Sequence, residues 1–132
     1  MMLTLDIGNT NVTIGVFQGD TLKATWRMAT DARRMPDEYG IFLRSLLALK
    51  GISAQEVNGV AICSVVPPLT GVFEELSRNY FNTTPLVVGA GVKTGVRVLY
   101  DTPRDVGADR IVDAAAAFLL YGAPVIVVDL GT

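Results

Sequence analysis

Apolar and polar side chains alternate along the first thirty residues of the chain. Residues 3–7, 12–17 and 22–28 carry apolar side chains at every second position, and Gly19-Asp20 separates the last two runs. A period of two is typical of strands with one buried face, and a Gly-Asp pair favours a tight turn. The pattern therefore predicts three consecutive strands in a meander.

The spacing of the apolar residues becomes helical in the segment that begins at Pro36. Proline followed by the acids Asp37 and Glu38 is favoured in the first turn of a helix. Gly51 predicts the end of this helix, because glycine readily takes the conformation that terminates one. The predicted apolar side of the helix consists of Ile41, Leu43, Leu46, Leu47 and Leu49.

Continuous apolar runs and further helical segments fill the rest of the chain. Residues 60–66 are a run of small and apolar side chains before Pro67-Pro68, as expected of a strand covered on both faces. The order of the elements predicts an α/β fold with a mixed sheet. The other predicted elements are a helix over about 68–80, a short buried strand over 86–88, a loop over 89–106 with an extended piece at 96–99, an alanine-rich helix over about 108–121 and a last buried strand over 125–128.

Two residue counts limit the reactions and metal sites that the side chains can support, since the chain has no histidine and a single cysteine, Cys63. The chain therefore cannot form a Ser-His-Asp or Cys-His pair, an intrachain disulfide or a zinc knuckle. Acid-base chemistry falls to carboxylates, and a bound metal has to be a hard cation held by oxygen. Cys63 lies in an apolar run, which favours a core position over a reactive thiol.

The charge balance argues against a nucleic-acid partner. There are 13 acidic and 11 basic residues, which give a net charge of -2 and a pI of about 4.9. Asp6 comes too early for a secretion signal, and the apolar uncharged run over residues 114–128 is broken by Gly122-Ala123-Pro124. We therefore expect a cytoplasmic protein without a membrane partner.

A polar turn between the first two predicted strands has the residues that bind a nucleotide phosphate. In Asp6-Ile7-Gly8-Asn9-Thr10-Asn11 the glycine permits a tight turn, amides and side chains can surround the phosphate oxygens, and the carboxylate can hold Mg2+. The alternative is an ordinary hairpin in which asparagine and glycine serve only turn geometry.

The pattern of an apolar strand, aspartate, glycine and threonine occurs a second time. Asp129-Leu130-Gly131-Thr132 follows the apolar run 125–128, and only Asn9 has no counterpart in this second copy. Two such turns would be expected of a duplicated ATP-binding architecture, in which each half contributes one phosphate loop. Chance recurrence of so short a pattern remains the alternative.

Four motifs together resemble type III pantothenate kinases, which belong to the superfamily of acetate and sugar kinases, Hsp70 and actin. They are Asp6 to Asn11, Tyr100-Asp101-Thr102-Pro103, Gly107-Ala108-Asp109-Arg110 and Asp129 to Thr132. The resemblance covers the whole chain but only the first half of such an enzyme. It implies a ribonuclease H-like mixed sheet flanked by helices in βββαβα order. Residues 1–123 would form the first lobe of an actin- or hexokinase-like kinase, and residues 124–132 the first strand and phosphate loop of a truncated second lobe.

The resemblance implies ATP-dependent phosphorylation of pantothenate, the first step of coenzyme A biosynthesis, by a homodimer. Asp109 would be the catalytic base. The implied ATP site contains Asp6, Ile7, Gly8, Asn9, Thr10, Asn11, Val12, Thr13 and Thr132, and the implied pantothenate site contains Tyr100, Gly107, Ala108, Asp109 and Arg110. Asp6 would hold Mg2+ together with ATP, and Asp129 would hold a monovalent cation, K+ or NH4+.

Each of these residues also has a simpler interpretation. Asp109 can act as a helix N-cap, Arg110 as a surface residue and Tyr100 as a half-buried packing ring. The alternative functions are a non-catalytic nucleotide-binding or regulatory module of the same fold and another small-molecule kinase of the superfamily. Because the second phosphate turn ends at Thr132, we expect a truncated chain that is inactive alone.

Overall fold

The computed structural model describes residues 1–89 and 92–131, without the side chain of Arg104. In these residues the chain forms five strands and three α-helices. The strands are β1 (Met2–Ile7), β2 (Asn11–Gln18), β3 (Thr21–Ala29), β4 (Gly59–Ser64) and β5 (Leu86–Val87), and the helices are α1 (Pro36–Leu49), α2 (Pro67–Phe81) and α3 (Ala108–Tyr121). Short 3-10 turns lie at Ala54–Glu56 and Pro103–Asp105.

The strands form one mixed sheet in the order β3-β2-β1-β4-β5. The first three strands pair antiparallel, whereas β4 pairs parallel with both β1 and β5. Parallel neighbours need a crossover connection, and the chain supplies α1 between β1 and β4 and α2 between β4 and β5. The predicted ribonuclease H-like sheet is therefore confirmed.

One face of the sheet packs against α1 and α2. Leu3, Leu5 and Ile7 occupy alternate positions of β1 and are fully buried in this core. Tyr39 of α1 and Phe73 of α2 meet with ring centroids 4.7 Å apart. The prediction for α1 was right for its buried leucines, Leu43 and Leu47, but wrong for Ile41 and Leu49, whose side chains are exposed.

The opposite face of the sheet carries polar residues and is approached by α3. In β1 the alternate residues Thr4 and Asp6 project to this side, because side chains of a strand point to opposite faces in turn. Helix α3 contacts β4, but none of its residues is buried in the part of the chain that the structure describes. This second face is therefore less completely covered than the first, and it is the face that holds the candidate site.

The structure differs from prediction in two extended segments. Residues 125–128 form no strand and are exposed, with Ile126 at 89% of its maximum. A strand exists only where a neighbour accepts its backbone hydrogen bonds, and residues 125–128 pair with neither edge strand, β3 or β5. The predicted buried strand at 86–88 is the two-residue edge strand β5, and Leu86 is exposed.

Candidate active site

The turn between β1 and β2 is held in place by backbone and side-chain hydrogen bonds. The Gly8 amide donates to the Asn11 carbonyl at 2.9 Å, and a Cβ on Gly8 would lie 3.1 Å from that same oxygen. From the end of β3, the Thr30 hydroxyl donates to the Gly8 carbonyl at 2.7 Å and the Thr30 amide donates to the Thr10 carbonyl at 2.9 Å. The Gly8 amide therefore donates its hydrogen bond within the hairpin. The turn presents its polar side chains to the site.

Those side chains line a cavity of about 440 Å³, which is within the size range of small-molecule sites. The predicted nucleotide turn, the start of α3 and the second aspartate turn all contribute to it. Its described lining consists of Asp6, Gly8, Asn9, Thr10, Asn11, Thr13, Cys63, Val65, Asp109, Val112, Asp113, Asp129 and Gly131. Three segments that are far apart in the sequence thus meet at one place.

Not every predicted ATP-site residue faces this cavity. The side chains of Ile7 and Val12 are fully buried in the core on the other side of the sheet. Any contact that these two residues make with a nucleotide has to come from the backbone. Thr132, the remaining predicted ATP-site residue, lies outside the described residues.

Helix α3 presents Asp109 to the cavity from its first turn. Gly107 is the N-cap of the helix, so the interpretation of Asp109 as the N-cap is wrong. The Asp109 Oδ1 accepts a hydrogen bond of 2.8 Å from the Arg110 amide, and a negative charge in the first turn suits the helix dipole. A Cβ on Gly107 would collide with the Asp109 carboxylate, so glycine at this position leaves room for that side chain.

Asp113 is a site residue that the sequence interpretation missed. It lies one turn after Asp109 on α3 and lines the same cavity. The signal for it was present, because residues four apart on a helix share a face. Two carboxylates of α3 therefore approach Asp6 and Asp129.

The site concentrates negative charge. Burial raises the pKa of Asp6 above its ordinary value, the Cys63 hydrogen bond opposes this change, and the carboxylates of α3 and Asp129 add to it. Partial desolvation also raises the pKa of Asp113, with additional contributions from Asp129 and Asp109. Anions can enter such a site only if cations accompany them.

The donor set fits a cation that arrives with a phosphate ligand. Among the described residues, no three histidine, cysteine or acidic side chains are grouped so that they could hold a metal by themselves. Mg2+ is commonly bound by one or two carboxylates together with waters and substrate phosphates. Asp6 lines the cavity beside the polar turn and therefore fits as the protein's contribution to such a site.

Two larger cavities adjoin the start of α3. One, of about 770 Å³, lies between α3 and the segment 125–131, and includes Asp109, Arg110 and Asp129 in its lining. The other, of about 840 Å³, has Gly107 and Ala108 at one side and is otherwise largely apolar. Its apolar lining residues include Val65, Val88, Val96, Val98, Val106 and Ile111.

Tyr100 is not among the described lining residues of any of these three cavities. Its side chain is 62% exposed, so the interpretation as a half-buried packing ring is wrong. The proposed pantothenate contact of Tyr100 consequently stays a prediction. The other predicted pantothenate-site residues, Gly107 to Arg110, lie together at the start of α3.

A family model for type III pantothenate kinases matches residues 2–132. The chain belongs to the type III pantothenate kinase family. A type III pantothenate kinase of Dehalococcoides mccartyi is 56% identical over 131 residues, covering 99% of this chain and 50% of that protein. The Geobacter sulfurreducens member is 51% identical over 132 residues, covering 100% of this chain and 52% of its own length. The chain therefore spans about half the length of these type III pantothenate kinases.

A solved structure has the same fold at low sequence identity. A chain of the PilM-PilN type IV pilus biogenesis complex aligns with a TM-score of 0.59 and 15% identity, over 93% of this chain and 46% of that chain. At this identity the likeness concerns the fold alone. No helix in residues 1–89 and 92–131 combines the length and apolar character needed to cross a bilayer.

Proposed function

We propose that this type III pantothenate kinase chain contributes the first half of a site that transfers the γ-phosphoryl group of ATP to pantothenate. The product is 4'-phosphopantothenate, and the reaction is the first step of coenzyme A biosynthesis. The observation that carries the proposal is the convergence of the polar turn, Asp109 and Asp129 on one cavity. Family membership supports the choice of acceptor.

Asp109 acts as the general base in this proposal. The primary hydroxyl oxygen of pantothenate forms a bond to the γ-phosphorus, and the bond from that phosphorus to the β-γ bridging oxygen breaks. The hydroxyl proton passes to the Asp109 carboxylate, and ADP leaves. Phosphoryl transfer depends chiefly on positioning and charge stabilisation, so a carboxylate base is sufficient without histidine.

The turn around Gly8 positions the phosphates. Asn9, Thr10 and Asn11 present polar side chains to the cavity from a turn that Thr30 holds in place. A turn with fixed geometry can offer its donors without the entropic cost of ordering them on binding. The segment Gly107 to Arg110 and the apolar cavity beside it form the side on which pantothenate binds.

Cations complete the site because its own side chains cannot balance a polyphosphate. The cavities of about 440 and 770 Å³ hold four aspartates, Asp6, Asp109, Asp113 and Asp129, and Arg110 is the single positive side chain among their described lining residues. Bound Mg2+ and K+ or NH4+ supply charge neutralisation. Asp6 takes part in holding Mg2+ with ATP, and Asp129 holds the monovalent cation.

The proposal extends to a cytoplasmic homodimer. Apolar side chains on the last turns of α3 are exposed, including Phe118, Leu119 and Leu120. An exposed apolar surface of this kind is compatible with an interface between subunits. Light scattering of the purified protein measures the subunit number directly, and a strictly monomeric active enzyme would contradict this part of the proposal.

An acceptor comparison tests the function. Because the chain spans half of its relatives, the assay uses the chain alone and a hybrid protein, in which the remaining half of the Geobacter sulfurreducens relative follows residue 132. ADP formation is measured with pantothenate, acetate or glucose, each with Mg2+ and with or without K+. We expect the hybrid to consume ATP with pantothenate only, and to do so faster with K+.

Each alternative function has its own result in this assay. Turnover with acetate or glucose at least equal to that with pantothenate would identify another small-molecule kinase of the superfamily. Binding of ATP by the hybrid without transfer to any acceptor would identify a non-catalytic nucleotide-binding module. Phosphorylation of pantothenate by the chain alone would show that the first half is sufficient, against our expectation that it is inactive.

A further inference from the structure

Three side chains form a row across the sheet on the face that holds the site. Asp6 in β1 pairs with Thr13 in β2 on one side and with Cys63 in β4 on the other. Residues directly opposite each other on neighbouring strands project to the same face. All three accordingly line the 440 Å³ cavity, with Asp6 in the middle of the row.

Cys63 is placed to donate a hydrogen bond to Asp6. It is a free cysteine, only 8% exposed, and it lies directly opposite Asp6 on the β1-β4 ladder, with both residues lining the cavity. A thiol with the ordinary pKa of about 8.5 keeps its proton at neutral pH, so the group can act as a hydrogen-bond donor.

The other groups that act electrostatically on Asp6 cannot replace this donor. They are the carboxylates of Asp113, Asp109 and Asp129, which are acceptors when ionised. Like charges around a carboxylate disfavour its ionised form, whereas a hydrogen-bond donor favours that form. The thiol supplies such a donor from the adjacent strand, whose position is set by the β1-β4 ladder.

We propose that Cys63 is a positioning residue, whose thiol donates to one oxygen of Asp6 and leaves the other oxygen directed into the phosphate cavity. The proposed hydrogen bond concerns the folded chain alone and does not depend on the proposed function. Its consequence for a metal bound with ATP rests on the proposed function. The competing explanation is that Cys63 only fills space beside Val65 at the end of β4.

Infrared spectroscopy of the 132-residue chain tests the hydrogen bond without nucleotide or activity. With a single cysteine in the chain, the S-H stretching band has one source. We expect the band of the wild type to lie at the lower wavenumber of a hydrogen-bonded thiol, and to rise in Asp6→Ala. Asp6→Asn, which keeps a weaker acceptor, should show a smaller rise in the same direction.

Asp113→Ala is the matched control for this measurement. It removes a neighbouring carboxylate that acts on Cys63 through its charge but is not its hydrogen-bond partner. We expect this variant to move the band by less than half of the Asp6→Ala shift. An identical S-H band in the wild type and in both Asp6 variants would overturn the proposal.

A matched pair of substitutions tests the consequence for catalysis. Cys63→Ser and Cys63→Ala leave side chains of nearly equal size, but only serine retains a donor. In the hybrid protein, we expect Cys63→Ala to raise the Mg2+ concentration for half-maximal rate about fivefold, the cost of one ordinary hydrogen bond. Cys63→Ser should stay within about twofold of the wild type, and neither change should alter KM for pantothenate.

The outcomes separate this inference from the proposed function. Equal Mg2+ requirements of the serine and alanine variants would reduce Cys63 to a packing residue and overturn its positioning role. An S-H band that depends on Asp6, found in a protein that phosphorylates nothing, would support the hydrogen bond and contradict the kinase assignment.

Discussion

The two faces of the sheet differ in what they bury. The face toward α1 and α2 packs fully buried side chains such as Leu5, Leu43 and Phe73 into one core. The face toward α3 carries Thr13, Asp6 and Cys63 across its middle, and no described residue of α3 is buried. Alternate residues of the same strands therefore point to opposite faces, one set packing in the core and the other lining the candidate site.

This difference explains how the chain can gather four carboxylates in one place. Like charges destabilise a folded chain, and the core on the other face supplies the burial that offsets them. The open face keeps the carboxylates of Asp109 and Asp129 accessible to ligands. If this division is right, substitutions on the first face should reduce stability and those on the second should reduce activity.

The largest expected effect on stability is at Phe73. Phe73→Ala removes a fully buried ring packed against Tyr39 and should lower the free energy of unfolding by about 3–5 kcal/mol. Thr25→Ala truncates an exposed side chain on the opposite face of the sheet and should change the free energy of unfolding by no more than about 1 kcal/mol. Urea unfolding of both variants measures the difference, and equal losses would contradict the division between the faces.

Gly107→Ala should reduce activity while leaving the fold intact. The added Cβ would meet the Asp109 carboxylate, a side chain that can move, so the proposed base is displaced and the helix remains. A displacement of about 1 Å can cost 10²-fold in rate, and we expect a loss of kcat of that order in the hybrid protein.

Gly71→Ala is the control for this prediction. A Cβ on Gly71 meets nothing within 4 Å, so alanine there should stabilise α2 by about 1 kcal/mol and leave kcat unchanged. A full rate in Gly107→Ala, or the same rate loss in both variants, would count against the placement of Asp109.

Asp6→Asn should change the metal requirement of the reaction. Because Asp6 is the proposed carboxylate for Mg2+, its amide variant should need at least about tenfold more Mg2+ for half-maximal rate. Titration of Mg2+ at saturating pantothenate measures this requirement in the hybrid. Asp20→Asn, a substitution in the exposed turn between β2 and β3, should leave the Mg2+ requirement unchanged. An Asp6→Asn protein with the wild-type requirement would exclude Asp6 as a metal residue.

The smallest expected effect is a change of stability with pH at Asp113. The pKa of Asp113 lies above its ordinary value of 3.8 in the folded chain, first because of burial and then because of Asp129 and Asp109. The folded state holds this proton more tightly than the unfolded state, so its stability falls as pH rises from the ordinary pKa through the folded pKa. Asp113→Asn should consequently raise Tm at pH 7, and this increase in Tm should become smaller as the pH falls toward 3.8.

Thermal unfolding between pH 4 and pH 8 measures this dependence. Asp20→Asn again serves as the control, because Asp20 lies in the exposed turn between β2 and β3. A lower Tm for Asp113→Asn at pH 7 would mean that the ionised Asp113 is stabilised by a partner, contrary to the acidic cluster described above.

Most of the fold follows from local patterns in the sequence. Alternation predicts β1 to β3 and helical spacing predicts α1 and α2, because each of these patterns reflects one buried face, whereas α3 was predicted from its alanine-rich sequence. The prediction of a buried strand over residues 125–128 was wrong, because an apolar run cannot specify the neighbour with which it pairs. The prediction that Ile41 and Leu49 lie on the buried side of α1 was wrong for a related reason. Apolar character does not reveal which neighbours a helix face will meet.

The candidate site was predictable only in part. Asp6, Asp109 and Asp129 lie in recognisable motifs and do converge on one cavity. Asp113 could have been predicted from its spacing to Asp109 on the helix. The role of Cys63 depends on the parallel register of β1 and β4, which joins residues far apart in the chain and leaves no local signal.

The turnover of Asp109→Asn in the hybrid protein tests the central claim most directly. We expect kcat for pantothenate phosphorylation to fall by about 10²–10⁴-fold, while the Kd for ATP stays within about twofold of the wild type. The control variant Asp20→Asn should keep full activity. Wild-type turnover in Asp109→Asn would contradict the account, because the cavity would then perform its chemistry without the carboxylate that defines it.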